Sequence, residues 1–179
     1  MFLFEYSATL AADEDGGFVV TFPDFPEAIA QGETEQEALE QAADSLEEAV
    51  ANRIVMSLDL PRPSAAPGSY AVAVPGSTAL KAALYQAIRG LRMSKVQVAA
   101  HLGVDEKEVR RLLDPYHPSK LNRIEELMKR MGRRVVIGLQ SPPSEGKSSP
   151  VLQPEGTMVW PDARRTSSSV LSNADNAQA

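Results

Sequence analysis

Six side chains between Lys95 and Arg111 have the chemistry needed to hold a nucleic acid: Lys95, Gln97, Glu106, Lys107, Arg110 and Arg111. Lysine and arginine bind phosphate oxygens, and together with glutamine and glutamate they also match donors and acceptors on base edges. All six lie in SKVQVAAHLGVDEKEVRRLL, residues Ser94 to Leu113. The stretch reads as two short helices about a tight turn. Ala99 is small where a second helix must cross above it. Gly103 stands where the first helix ends and the backbone needs positive φ. Val109 plugs the groove between the helices, and Val98, Leu102, Val104 and Leu112 complete a small core. Ser94 with Gln97, and Asp105 with Glu108, read as N-caps with their N3 partners. Such spacing predicts a helix-turn-helix whose second helix enters the major groove of double-stranded operator DNA. Lys107, Arg110 and Glu106 are expected at base edges or phosphates, with Arg111 beside them on the outer side; Lys95 and Gln97 suit phosphates.

A second chemistry to weigh is two-metal hydrolysis, which needs carboxylates converging on hard cations. The candidates are Glu5, Asp13, Glu14, Asp15 and Asp24. Asp13, Glu14 and Asp15 read as turn formers. Asp24, between Pro23 and Pro26, reads as a loop-shaping or partner-contacting residue. The two histidines, His101 and His117, flank the second of the paired helices and form no set with a serine and a carboxylate. The 179 residues contain no cysteine, hence neither a disulfide framework nor a thiol nucleophile, which fits the cytoplasm. No catalytic, metal or cofactor site is expected. The N-terminus has no basic segment followed by an apolar one, and no window reaches the ~18 apolar residues of a membrane span.

Charge divides the chain. Residues 1–60 hold one basic residue, Arg53, against fourteen acidic ones, a net charge of −13. Residues 77–140 hold thirteen basic residues against six acidic ones, a net charge of +7. A basic segment suits phosphate contacts, and an acidic one is repelled by DNA and suits a basic partner.

These side chains need a scaffold, and the pattern predicts α+β architecture. Phe2 to Leu10 alternates as a strand, Asp13 to Gly17 is a turn, and Phe18 to Phe22 is a buried strand. Pro23 ends it, Asp24-Phe25-Pro26 bends, and Ala28 to Gln31 is a short extended piece. Thr34 caps a helix with Glu37 as its N3 partner; Ala38, Leu39, Ala42, Ala43, Leu46, Ala49, Val50 and Ile54 form its apolar face. Tyr70 to Val74 is the last strand, giving β-β-β-α-β over residues 1–76. Residues 77–140 read as an all-α module: a helix over Leu80 to Leu91, the two paired helices, and a further helix starting at Pro118. A terminal strand, Arg133 to Leu139, follows. A lone strand needs a partner. Val135, Val136, Ile137 and Leu139 would pair with the same strand of a second copy, giving a homodimer or higher oligomer, or else pack back on their own module. Residues 141–179, rich in Ser, Pro, Asn and Ala, read as mostly disordered.

GGFVVTFPDFPEAIAQGETEQEALEQAADSLEEAV, with the LPRPS that precedes the last strand, resembles the HicB family of antitoxins, over about residues 1–74. The segment after it resembles the Cro and phage-repressor type of DNA-binding domain found in some HicB proteins. The resemblance implies a partial RNase H-like fold in the front module. It implies a basic HicA-like toxin that cleaves mRNA as its partner, and repression of the operon encoding both. Asp13, Asp15, Asp24 and Glu27 are the front-module acids expected to meet that toxin. Two other readings stand beside this one: a stand-alone regulator whose front module senses a small ligand, and a metal-dependent nuclease.

Overall fold

The computed structural model describes residues 3–65, 69–138, 151–152 and 158–159. The chain divides into two compact units, Met1–Val135 and Val136–Ala179. In the first, an antiparallel sheet of order β3-β2-β1-β4 is built from β1 (Glu5–Ala12), β2 (Phe18–Phe22), β3 (Phe25–Gly32) and β4 (Tyr70–Ala73). Alternation along β1 puts Tyr6 and Ala8 into the core and leaves Thr9 and Ala11 exposed. Strand β3 begins at Phe25, three residues earlier than the sequence suggests. Pro26 is no obstacle there, because β3 is an edge strand with β2 on one side only.

Helix α1 (Glu35–Val55) starts where expected: Thr34 Oγ1 accepts the Glu37 N–H at 3.2 Å. It buries Ala38, Ala42, Leu46, Ala49, Val50 and Ile54 against the sheet. The facing residues Ala28 and Ala30 are also small, so the helix lies close over β3. Ser45 Oγ donates to the carbonyl of Ile29 at 3.1 Å, satisfying a backbone group of that edge. Tyr6 and Phe25 meet edge to face with centroids 4.8 Å apart.

The helical part comprises α2 (Gly76–Gly90), α3 (Lys95–Leu102), α4 (Glu106–Leu113) and α5 (Leu121–Arg130). It is bonded to α1 and the chain after it. Tyr85 Oη donates to the Leu58 carbonyl at 2.7 Å, and Arg89 donates to the Ser57 carbonyl at 2.7 Å and pairs with Asp59. Thr78 Oγ1 donates to Glu47 at 2.5 Å, and Tyr116 Oη donates to Glu48 at 2.7 Å.

Three sequence expectations are corrected. Helix α5 starts at Leu121, with Lys120 at its N-cap, and His117 and Pro118 belong to the preceding turn. Asp105 caps α4 by accepting the Lys107 N–H at 2.6 Å, but Glu108 does not complete the box, because its carboxylate reaches Arg123 instead. Residues 133–138 form no strand. Among the described residues their backbone has no ladder partner, and the pairing with a second copy expected from the sequence involves another chain. Val135 packs on the core, whereas Val136 and Ile137 are exposed. Leu139 lies outside the described residues, as does most of 141–179. In the second unit, β5 (Val151–Leu152) pairs antiparallel with β6 (Met158–Val159).

Candidate functional site

Helices α3 and α4 are short, and their turn is fixed by local chemistry. Ser94 and Gln97 cap α3 reciprocally, with Gln97 N–H to Ser94 Oγ at 3.3 Å and Ser94 N–H to Gln97 Oε1 at 2.9 Å. Gly103 ends α3 at φ 64°, a conformation that a residue with Cβ adopts at a cost. Ala99 and Val109 are 4% and 2% exposed, so both sit where the close crossing of the two helices needs them. Val98, Leu102 and Leu112 are buried around them, with Leu113, Ile124, Leu127 and Met128 from α4 and α5.

Burial of Val109, Leu112 and Leu113 fixes the orientation of α4. At 3.6 residues per turn, Lys107 and Arg111 lie on the opposite side, and both are exposed. Glu106 and Arg110 occupy one flank and are joined, Arg110 Nε to Glu106 Oε1, at 2.6 Å. Glu108 occupies the other flank and accepts from Arg123 Nε at 2.5 Å. Arg123 also pairs with Glu126, and Glu126 with Arg130, whose Nη1 donates to the Leu102 carbonyl at 2.5 Å. This chain of charges ties α5 to both α4 and the end of α3. Arg123 holds the carboxyls of Glu108 and Glu126 below the usual carboxylate range. Lys95 and Gln97 are exposed at the start of α3. Lys95 and Arg110 share a cleft of about 350 Å³ with Val55, Tyr85, Leu113 and Tyr116.

One residue behind this surface escaped the sequence reading. Lys81 is 4% exposed on α2. Its ammonium donates to the carbonyls of Asp114 and His117 and to Ser119 Oγ, at 2.7, 2.8 and 2.8 Å. Burial pulls its pKa below the usual lysine value, opposed by Asp114. Those three acceptors lie at least 33 positions along the chain, so no local spacing announces them. Lys81→Met keeps the stem and removes all three bonds. It is expected to lower unfolding free energy by about 2 kcal/mol, read from urea denaturation, because two partly buried carbonyls lose a charged donor. An unchanged denaturation midpoint would remove Lys81 from this role.

The front-module acids are dispersed. Asp13 and Asp15 sit in the β1–β2 turn, closed by the Asp13 N–H to Gly17 carbonyl bond at 3.0 Å. Asp24 sits at the other end of β2, roughly 15 Å away by strand rise. Its Oδ2 accepts the Ser64 N–H at 2.9 Å, so it shapes the loop before β4. Glu27 on β3 is held by Arg53 through Nε at 2.5 Å and Nη2 at 2.9 Å, a bidentate pair that keeps the carboxyl below its ordinary range. Arg53 also lies 4.5 Å from the centroid of the Phe25 ring. Among the described residues, no group of three His, Cys, Asp or Glu side chains is placed to hold a metal ion. No described helix is long and apolar enough to cross a membrane.

Residues 5–83, from β1 into α2, match the family described as HicB_like antitoxin of bacterial toxin-antitoxin system. The chain is 33% identical over 135 residues to Antitoxin HicB 1 of Photorhabdus laumondii, covering 75% of this chain and 86% of that one. The chain belongs to the HicB-like antitoxin family. Antitoxin HicB of Escherichia coli K12 is 31% identical over 133 residues, covering 74% of this chain and 96% of its own. Antitoxin HicB of Pseudomonas fluorescens is 29% identical over 141 residues, covering 78% and 96%. Alignments of this length run past residue 83, so the similarity to HicB proteins takes in much of α2–α5 as well as the sheet.

Proposed function

We propose that this chain binds and neutralises a HicA-like, mRNA-cleaving toxin and represses its own operon. In this reading residues 1–76 form a partial RNase H-like module that docks the toxin. Helices α3 and α4 form a helix-turn-helix of the Cro and phage-repressor type, within a DNA-binding domain over 77–140. The observation that carries the antitoxin role is membership of the HicB-like family. Its support for toxin docking is electrostatic: a module of net charge −13 attracts a basic partner. The DNA role rests on Ala99, Gly103 and Val109 meeting the needs of a close helix crossing while Lys107 and Arg111 face solvent. A repressor of this type acts as a dimer on two half-sites, and the exposed Val136 and Ile137 offer apolar surface for that pairing.

Co-expression with the product of the neighbouring short reading frame tests the toxin half. The two are expected to elute as one complex, and the association rate is expected to fall as salt rises through physiological ionic strength. Separate elution of two folded proteins would rule out the pairing.

A further inference from the structure

We infer that Arg110 is the guanine-reading residue of α4 and that Glu106 is its positioning residue. The inference rests on the DNA-binding reading above and deepens it. Three observations carry it. First, Arg110 folds back one turn toward the start of α4, where a recognition helix meets base edges, and its Nε donates to Glu106 Oε1 at 2.6 Å. Second, that contact occupies Nε alone. Among the described residues the two Nη groups make no hydrogen bond, and the side chain is 66% exposed. The outer fork of a guanidinium so held matches the two acceptors of guanine, O6 and N7. Third, the Glu106 carboxylate offsets the Arg110 charge. A compensated arginine adds little to the sequence-independent attraction for phosphates but keeps its directional donors. Lys107 and Arg111 differ on this point. Glu108 and Asp114 each lie three positions from Arg111, but Glu108 is bonded to Arg123 and meets Arg111 only through its charge, and among the described residues neither Lys107 nor Arg111 forms an ion pair. The pair with no carboxylate bonded to it is therefore assigned to phosphates and Arg110 to sequence.

Glu106 acts through geometry. Without it the arginine samples many rotamers, and ordering it on a base costs more. Lysine at position 110 would keep the charge and lose the planar fork.

The test is selection from a pool of randomised duplexes with the full chain, its E106Q and R110K variants, and thermal melts as a folding control. The intact chain is expected to enrich sites with one guanine fixed in each half. In R110K that guanine preference should fall by ~10-fold or more, the scale of one bidentate base contact. E106Q should weaken it several-fold. In R110K affinity for duplexes lacking the site, and its salt dependence, should stay within about 2-fold, since the charge is kept, whereas E106Q, which frees the Arg110 charge, should raise that affinity and steepen its salt slope by up to about 1. If sites are enriched but both variants keep the same guanine preference, the assignment of Arg110 and Glu106 is wrong while DNA binding stands. If no duplex is enriched and no salt-dependent binding occurs, the DNA-binding reading fails and takes this inference with it.

Discussion

Gly32→Ala is expected to destabilise the protein by about 3 kcal/mol, at the upper end of what overpacking costs. A Cβ at Gly32 would stand 2.4 Å from the Ala38 nitrogen and 2.9 Å from both the Ala38 Cα and the Glu37 carbonyl carbon. All three atoms are backbone in the first turn of α1, so no side chain can swing aside. Relief would need the start of α1 to move off β3. That movement is opposed by Ala38 and Ala42, both fully buried, and by the Thr34 cap. Gly90→Ala is the matching control. A Cβ there meets nothing within 4 Å, and the residue lies in α2, so helix propensity alone should stabilise by ~0.5–1 kcal/mol. Urea denaturation of the two variants should move in opposite directions. If Gly32→Ala matches the parent, the approach of α1 to β3 is not as close as described.

Position 32 also marks the limit of what sequence can tell. Thr34 with Glu37 was legible as the start of a helix, because capping is local: an oxygen three residues from an N–H needs only the right residue types. The same holds for Ser94 with Gln97, and for β2, where β-branched and aromatic residues meet Pro23. The Ala99, Gly103 and Val109 spacing was legible because a close helix crossing imposes size and φ at fixed intervals. That Gly32 has no room for a methyl group was not legible, since the atoms it meets belong to a different element.

The misreadings share a cause. Asp105 and Glu108 have the residue types of a capping box, but Arg123 on α5 offers Glu108 a charge-assisted partner, which is stronger than a neutral backbone donor. Lys81 looks like one more surface lysine on an amphipathic helix until the turn at Asp114–Ser119 folds back onto it. The segment 133–138 has strand composition, but a strand is a property of a pair, and among the described residues of a single chain it is unpaired; the expected pairing was with a second copy. Asp24 was legible as a loop-shaping or partner-contacting residue and Glu27 as an acid for the partner, but not what either would bond within the chain. Their bonds to the Ser64 N–H and Arg53 come from segments 40 and 26 positions away. Function follows the same division: residue types announce chemistry, and long-range contacts decide which side chains remain available for it.

The proposed division of labour leads to the other large expected effect, the separation of repression from protection. The structure argues against cutting the chain to obtain it. Removing everything after residue 76 would delete Thr78, Tyr85, Arg89 and Tyr116, which bond to Glu47, Leu58, Ser57 and Glu48. A fragment that fails to protect could then be failing to fold. The exposed pair Lys107 and Arg111 avoids this, because neither side chain supports the core. Lys107→Ala with Arg111→Ala in the full chain is expected to leave the melting temperature unchanged. Operator affinity should drop by about 100-fold, and the dependence of log affinity on log salt should become shallower by about 2, one for each phosphate no longer neutralised. Cells co-expressing the cognate toxin should still grow, since the acidic module is untouched, while a reporter under the operon's own promoter should be derepressed. Loss of both protection and repression in a folded double variant would mean that one surface serves both partners. Retention of repression would mean that α4 does not present Lys107 and Arg111 to DNA.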